Sequence, residues 1–201
     1  MRKIKREIVS ENIRIFGGVF FIAIVPLELI NFIFVLFSDF KINGSTTKII
    51  NILLYYEYGP AFSLMIWFFL LVLIMFFWIL GFYFLKFAKN PLDSKNYSKH
   101  LFLIGAILIT LTFIKLYMLY LIERGILILD NTQIGFEQAL LDFNFTPIYT
   151  YYMWRILPIC DCYRIMVGIV MGAIGLYWLS VQEKEEKSKK ELKTDQSKIL
   201  Q

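Results

Sequence analysis

Apolar residues gather in four long runs along the chain, and most polar residues lie between them. A helix needs roughly 20 apolar residues to cross about 30 Å of hydrocarbon. Ile15–Phe37 meets that length, interrupted only by Glu28 and Asn31. Ala61–Leu85 is cleaner, and Leu101–Ile122 is apolar apart from Lys115. The last run, Met166–Val181, is short and reaches full length only if the helix starts near Tyr163. The pattern predicts an all-α, four-helix transmembrane bundle with spans at about 15–37, 61–85, 101–122 and 163–181. Residues 1–182 form that bundle, and 183–201 form a charged tail.

The connections carry weaker signals. Asn90-Pro91 in the short second connection is a helix stop followed by a turn, which makes spans two and three an antiparallel hairpin. The first long connection starts with polar Asn43-Gly44-Ser45 and becomes apolar through Ile49–Tyr58. It reads as a short interfacial element anchored by Tyr55, Tyr56 and Tyr58 and closed by Gly59-Pro60. In the last connection Phe136, Ala139, Leu140 and Phe143 share one helical face, opposite Glu137, Gln138 and Asp142. Short interfacial helices are therefore expected on this side of the bundle. Ile148–Ile159 directly follows Pro147, carries Arg155 and Pro158, and reads as interfacial or re-entrant. With Tyr149, Tyr151, Tyr152, Trp154 and Tyr163 it forms an expected aromatic belt over the bilayer surface, or else the wall of a binding pocket.

Composition strengthens the membrane reading. The chain is 58% hydrophobic and 18% charged, with a mean hydropathy of +0.62. Soluble domains are about 45–50% apolar and about 25% charged. So large an excess exceeds what one soluble core of 201 residues buries, and disorder or a disulfide scaffold is excluded.

The net charge of +5 informs topology. Arg2, Lys3, Lys5, Arg6 and Arg14 flank the first span; Lys86, Lys89, Lys95 and Lys99 lie in the second connection. The tail adds Lys184, Lys187, Lys189, Lys190, Lys193 and Lys198. The opposite side has only Lys41, Lys48, Arg124 and Arg155, beside Asp39, Glu57, Glu123, Asp130, Glu137, Asp142 and Asp161. Basic loops stay cytoplasmic, so both termini are expected inside, and nucleic-acid binding is not implied. Two N-x-Ser/Thr acceptor patterns, at Asn43 and Asn144, fall on the expected outer side, and a third at Asn96 falls inside. The first span is too long for a cleaved signal sequence and is expected to be an uncleaved signal-anchor. In the tail, Glu183–Lys187, Glu185–Lys189 and Glu186–Lys190 are spaced to support a solvated helix.

Ionisable groups inside spans are the best pointers to function, because each costs several kcal/mol unless paired or hydrated. Glu28 and Lys115 are those groups. In this topology they lie about 20 Å and 21 Å from the inner boundary. Equal depth and opposite sign predict a pair facing the bundle interior, with Asn31 one turn from Glu28 and Thr112 one turn before Lys115. The pair reads as a structural lock, or as a proton- or ion-coupled site or an acidic group that binds a cationic ligand, unless Lys115 snorkels to the outer surface. Pro26 frees a backbone carbonyl near that depth.

Other chemistry is sparse. Cys160 and Cys162 flank Asp161 at the expected outer end of span four, where they are candidates for a redox or soft-metal role. The helix count resembles that of membrane thiol oxidoreductases that pass electrons to quinone. The C-x-x-C pairs on which that chemistry runs are absent. His100 is the sole histidine and cannot supply a bis-histidine haem or a multi-histidine metal centre. No P-loop, dinucleotide glycine pattern, H-E-x-x-H or G-x-S-x-G occurs, so no cofactor is expected and catalysis by those routes is not indicated. Gly168, Gly172 and Gly175 line one side of span four, suited to close helix packing within the chain or with another subunit. Span two is bulky and apolar on every side, which suits lipid or a large apolar partner. The leading expectation is a non-catalytic subunit or accessory factor of a membrane complex. The competitors are a transporter or channel component working through Glu28 and Lys115, and an outer-face thiol protein.

Overall fold

The computed structural model describes residues 2–42, 45–52, 57, 59–87, 94–129, 132–142 and 146–199. Within them the chain forms helix α1 (Arg2–Leu36), a hairpin of β1 (Asp39–Ile42) and β2 (Ser45–Lys48), and the short α2 (Ile49–Ile52). Helices α3 (Pro60–Phe87) and α4 (Ser94–Arg124) follow. A second hairpin, β3 (Ile126–Leu129) with β4 (Thr132–Gly135), leads through α5 (Phe136–Leu141) into α6 (Ile148–Ile199). Four of the helices, α1, α3, α4 and α6, are long and apolar enough to cross a membrane. The protein is an all-α, four-span bundle. The expected anchors Tyr55, Tyr56 and Tyr58, the Asn43-Gly44 and Asn90-Pro91 turns, Phe143 and Asn144 lie outside the described residues.

Neighbouring spans run antiparallel. α1 packs along α3, where a Cβ added at Gly81 would meet Phe21 at 2.6 Å, and Phe32 meets Trp67 with ring centroids 5.1 Å apart. α1 meets α6 through Phe20 stacked on Tyr163 at 4.0 Å. The most extensive contact joins α4 and α6. Small residues set its spacing: a Cβ on Gly105 would lie 2.7 Å from the Gly168 carbonyl and from the Gly172 nitrogen. One on Gly175 would strike the Phe102 backbone at 2.6 Å. The glycine side of α6 is therefore filled by α4 of the same chain, at a backbone approach only small residues permit.

One end of the bundle carries both hairpins. β1 pairs β2 antiparallel from Asp39↔Lys48 to Ile42↔Ser45, and β3 pairs β4 from Ile126↔Gly135 to Leu129↔Thr132. The Glu57 N–H donates to the Ile126 carbonyl at 3.0 Å and ties the first long connection to the second hairpin. Gly59 has φ +81°, a left-handed conformation that favours glycine, and Pro60 then opens α3 where its missing N–H costs no helix bond. In α5, Phe136, Ala139 and Leu140 are buried, and Thr146 Oγ1 donates to the Leu140 carbonyl at 3.0 Å to close that turn. Each short element packs its apolar face onto the top of the bundle, which is why marginal hairpins persist here.

Two expectations are corrected. Neither hairpin follows from the reading of these loops as interfacial helices alone. More consequential, residues 148–159 form no separate re-entrant element, because α6 is continuous through Pro158 and starts at Ile148 rather than near Tyr163. The helix that carries the fourth span thus gains four turns at its hairpin end. With 52 residues, α6 is about 78 Å long at 1.5 Å per residue, far more than a bilayer crossing. Trp154 is 1% exposed and belongs to the core, whereas Tyr149, Tyr152 and Tyr163 are exposed.

Candidate functional site

The redefined α6 changes which charges are buried. Asp161 and Arg164 sit three residues apart on one face of α6, directed at α1 and α4. Glu28 comes from α1 and Lys115 from α4. These four side chains are between 0% and 1% exposed and touch one another.

Lys115 Nζ donates to Glu28 Oε1, and to each of the two Asp161 oxygens at 2.8 Å. Arg164 Nη1 donates to Glu28 Oε1 at 3.1 Å and to Asp161 Oδ1 at 2.5 Å, and Nη2 donates to Glu28 Oε2. Both carboxylates are thus shared by both cations, and the cluster carries no net charge. Burying any one of these groups alone in hydrocarbon would be prohibitive; together each provides the counter-charge the others need.

An aromatic ring covers one side of the cluster. The Arg164 guanidinium lies over the Phe77 ring, 4.4 Å from its centroid. This face contact suits a weakly hydrated, planar cation. Toward the hairpin end, Phe32, Trp67, Trp154 and Phe136 form a chain of ring contacts at 5.1, 6.0 and 5.5 Å, running from α1 through α3 and α6 to α5. So span two is not uniformly outward-facing. Trp67 and Phe77 turn inward, while Phe68, Phe69, Phe76 and Phe82 remain exposed.

Of the flanking polar residues, Asn31 bridges α1 to α6, its Nδ2 donating to the Met153 carbonyl at 2.7 Å. Thr112 bonds its own helix, Oγ1 to the Leu108 carbonyl at 2.7 Å, and so lines the seam without joining the cluster. A second ionic group lies nearer the hairpins. Arg155 donates to Glu123 at 3.1 Å and to Glu137 at 3.3 Å, and Trp154 Nε1 donates to the same Glu123 oxygen at 2.7 Å.

Cys160 and Cys162 do not end the span; they lie well inside α6, beside Asp161. Both are free thiols, the first half-buried and the second exposed. At 3.6 residues per turn, positions two apart point about 200° away from each other. The two sulfurs therefore face different surroundings and cannot share a ligand or close a disulfide while the helix is intact. Among the described residues no group of three or more His, Cys, Asp or Glu is placed to hold a metal ion.

Asp161 and Arg164 were hidden in the sequence for a simple reason. Asp161 falls before the last clean apolar run and reads as an outer-side acid. Its signal was the base three positions on: an i,i+3 pair on one helical face neutralises itself and permits burial.

No known protein family, curated protein or solved structure matches this chain. Fold and site nonetheless define a class: a polytopic integral membrane protein with a closed, charge-neutral ion cluster among its helices.

Proposed function

We propose that the protein is a non-catalytic subunit or accessory factor of a larger membrane complex, in which the Glu28–Lys115–Asp161–Arg164 cluster locks the helices in register. One observation carries this reading. The four charges that the spans bury, among the described residues, are consumed by one another at 0–1% exposure, with none turned toward solvent. Lateral surfaces are free for association: α3 exposes Phe68 at 63% and Phe82 at 50%, and the side of α6 away from α4 exposes Met166 at 66%. Protein extracted from its native membrane in mild detergent is expected to run with a stoichiometric partner in native mass measurements. A clean monomer would overturn the proposal.

The charge distribution supports placing both termini in the cytoplasm, because the α3–α4 connection and the tail hold most of the lysines. A cysteine placed at Ser188 is then expected to be shielded from an impermeant thiol reagent in intact cells and labelled after permeabilisation. The contact of four ionisable side chains at one depth favours a second reading, an ion-coupled transport component. That reading requires flux into vesicles that disappears in Glu28→Gln.

A further inference from the structure

The seam between α1 and α6 has a second irregularity beside the charge cluster. Asn31 on α1 bonds Met153 on α6, which fixes the register of these antiparallel helices. Pro26 lies five residues before Asn31, and Pro158 lies five residues after Met153. The two prolines therefore occupy one level of the bundle, each inside a continuous helix, about 7.5 Å along the axis from the Asn31 bond. Glu28 is two residues from one proline and Asp161 three from the other.

Each proline removes a backbone donor. The N–H that would satisfy the Trp154 carbonyl belongs to position 158 and does not exist, and the Ile22 carbonyl loses its donor to Pro26 in the same way. Asn31 adds a third acceptor: Oδ1 is buried, in a residue 7% exposed, and has no hydrogen-bond partner. On the cluster side Arg164 Nε is a buried donor with no acceptor. The seam thus holds one buried acceptor without a donor, Asn31 Oδ1, one buried donor without an acceptor, Arg164 Nε, and two carbonyls deprived of their i+4 donor. In a bilayer interior, lipid can satisfy none of them.

We propose that this seam is a binding site for internal water, with at least one molecule donating its hydrogens to Asn31 Oδ1 and the Trp154 carbonyl. The chemistry selects water over the alternatives. A cation would meet Arg164 and Lys115, an anion would meet Glu28 and the freed carbonyls, and only a small neutral molecule with two donors and an acceptor suits both sides. The site is separate from the hydrogen bonds of the ion cluster and holds whether or not the protein has a partner.

The test is water-edited solid-state NMR on the wild-type protein in lipid vesicles, comparing transfer from water to the Asn31 side chain with transfer to the buried Leu157 side chain. The expected result is several-fold faster build-up at Asn31. Equal, slow build-up at the two would overturn the proposal. Pro158→Ala restores the missing N–H, and is expected to reduce the Asn31 transfer. An unchanged transfer in that variant would remove the Trp154 carbonyl from the site and sink the bridge.

Discussion

α6 carries two ionic clusters a few turns apart, built from similar groups but set in opposite surroundings. Around Arg164, four charges are sealed at 0–1% exposure. Around Arg155, three charges are partly wetted, with Arg155 at 35%, Glu123 at 19% and Glu137 at 48%. The shared chemistry means that burial decides what each cluster is worth. Removing one member of the sealed set leaves an unpaired charge in a low-dielectric interior, at a cost of about 3–5 kcal/mol. A wetted pair contributes about 0–1 kcal/mol, because water stands ready to replace the lost partner.

The comparison breaks most sharply at Glu28. Glu28→Ala is expected to lose about 3–5 kcal/mol of unfolding free energy, measured by denaturant titration in bicelles, since Lys115 and Arg164 then share a single carboxylate. The double change with Lys115→Met restores neutrality around the remaining Asp161–Arg164 pair. It is expected to be less damaging than Glu28→Ala alone. Simple addition of the two single effects would show that the cluster does not act as one unit.

Next in size is a steric test that leaves every charge in place. Gly175→Leu pushes a side chain into the Phe102 backbone and should cost about 1–3 kcal/mol by the same titration. Arg155→Ala is expected to fall at or below about 1 kcal/mol and to shrink further in high salt. The Glu28 effect should barely respond to salt, and a strong response there would mean that ions reach the central cluster.

Legibility in the sequence followed the same divide between uniform and mixed surroundings. The first three spans are readable because their apolar runs are nearly unbroken, so hydropathy alone finds them. Glu28 and Lys115 stand out against those runs for the same reason. The start of α6 is obscured because Arg155, Pro158 and Asp161 dilute the apolar signal over its first turns, and burial of those groups depends on partners from other helices. Asp161 and Arg164 therefore become visible as site residues only once α1 and α4 are packed alongside. The hairpins are a different case. Asn43-Gly44 between short strand-forming segments is a strong two-residue turn signal, and the first hairpin was open to that reading. The second, whose two segments are separated in the sequence by Asp130-Asn131, gave less warning.

The pairing of two acids with two bases has an electrical consequence. A single elementary charge carried through the full membrane potential exchanges about 2.3 kcal/mol per 100 mV. Glu28, Lys115, Asp161 and Arg164 displaced together carry none. A shift of these helices as one body is thus nearly blind to voltage, and only a rearrangement that pulls cation from anion would register as gating current.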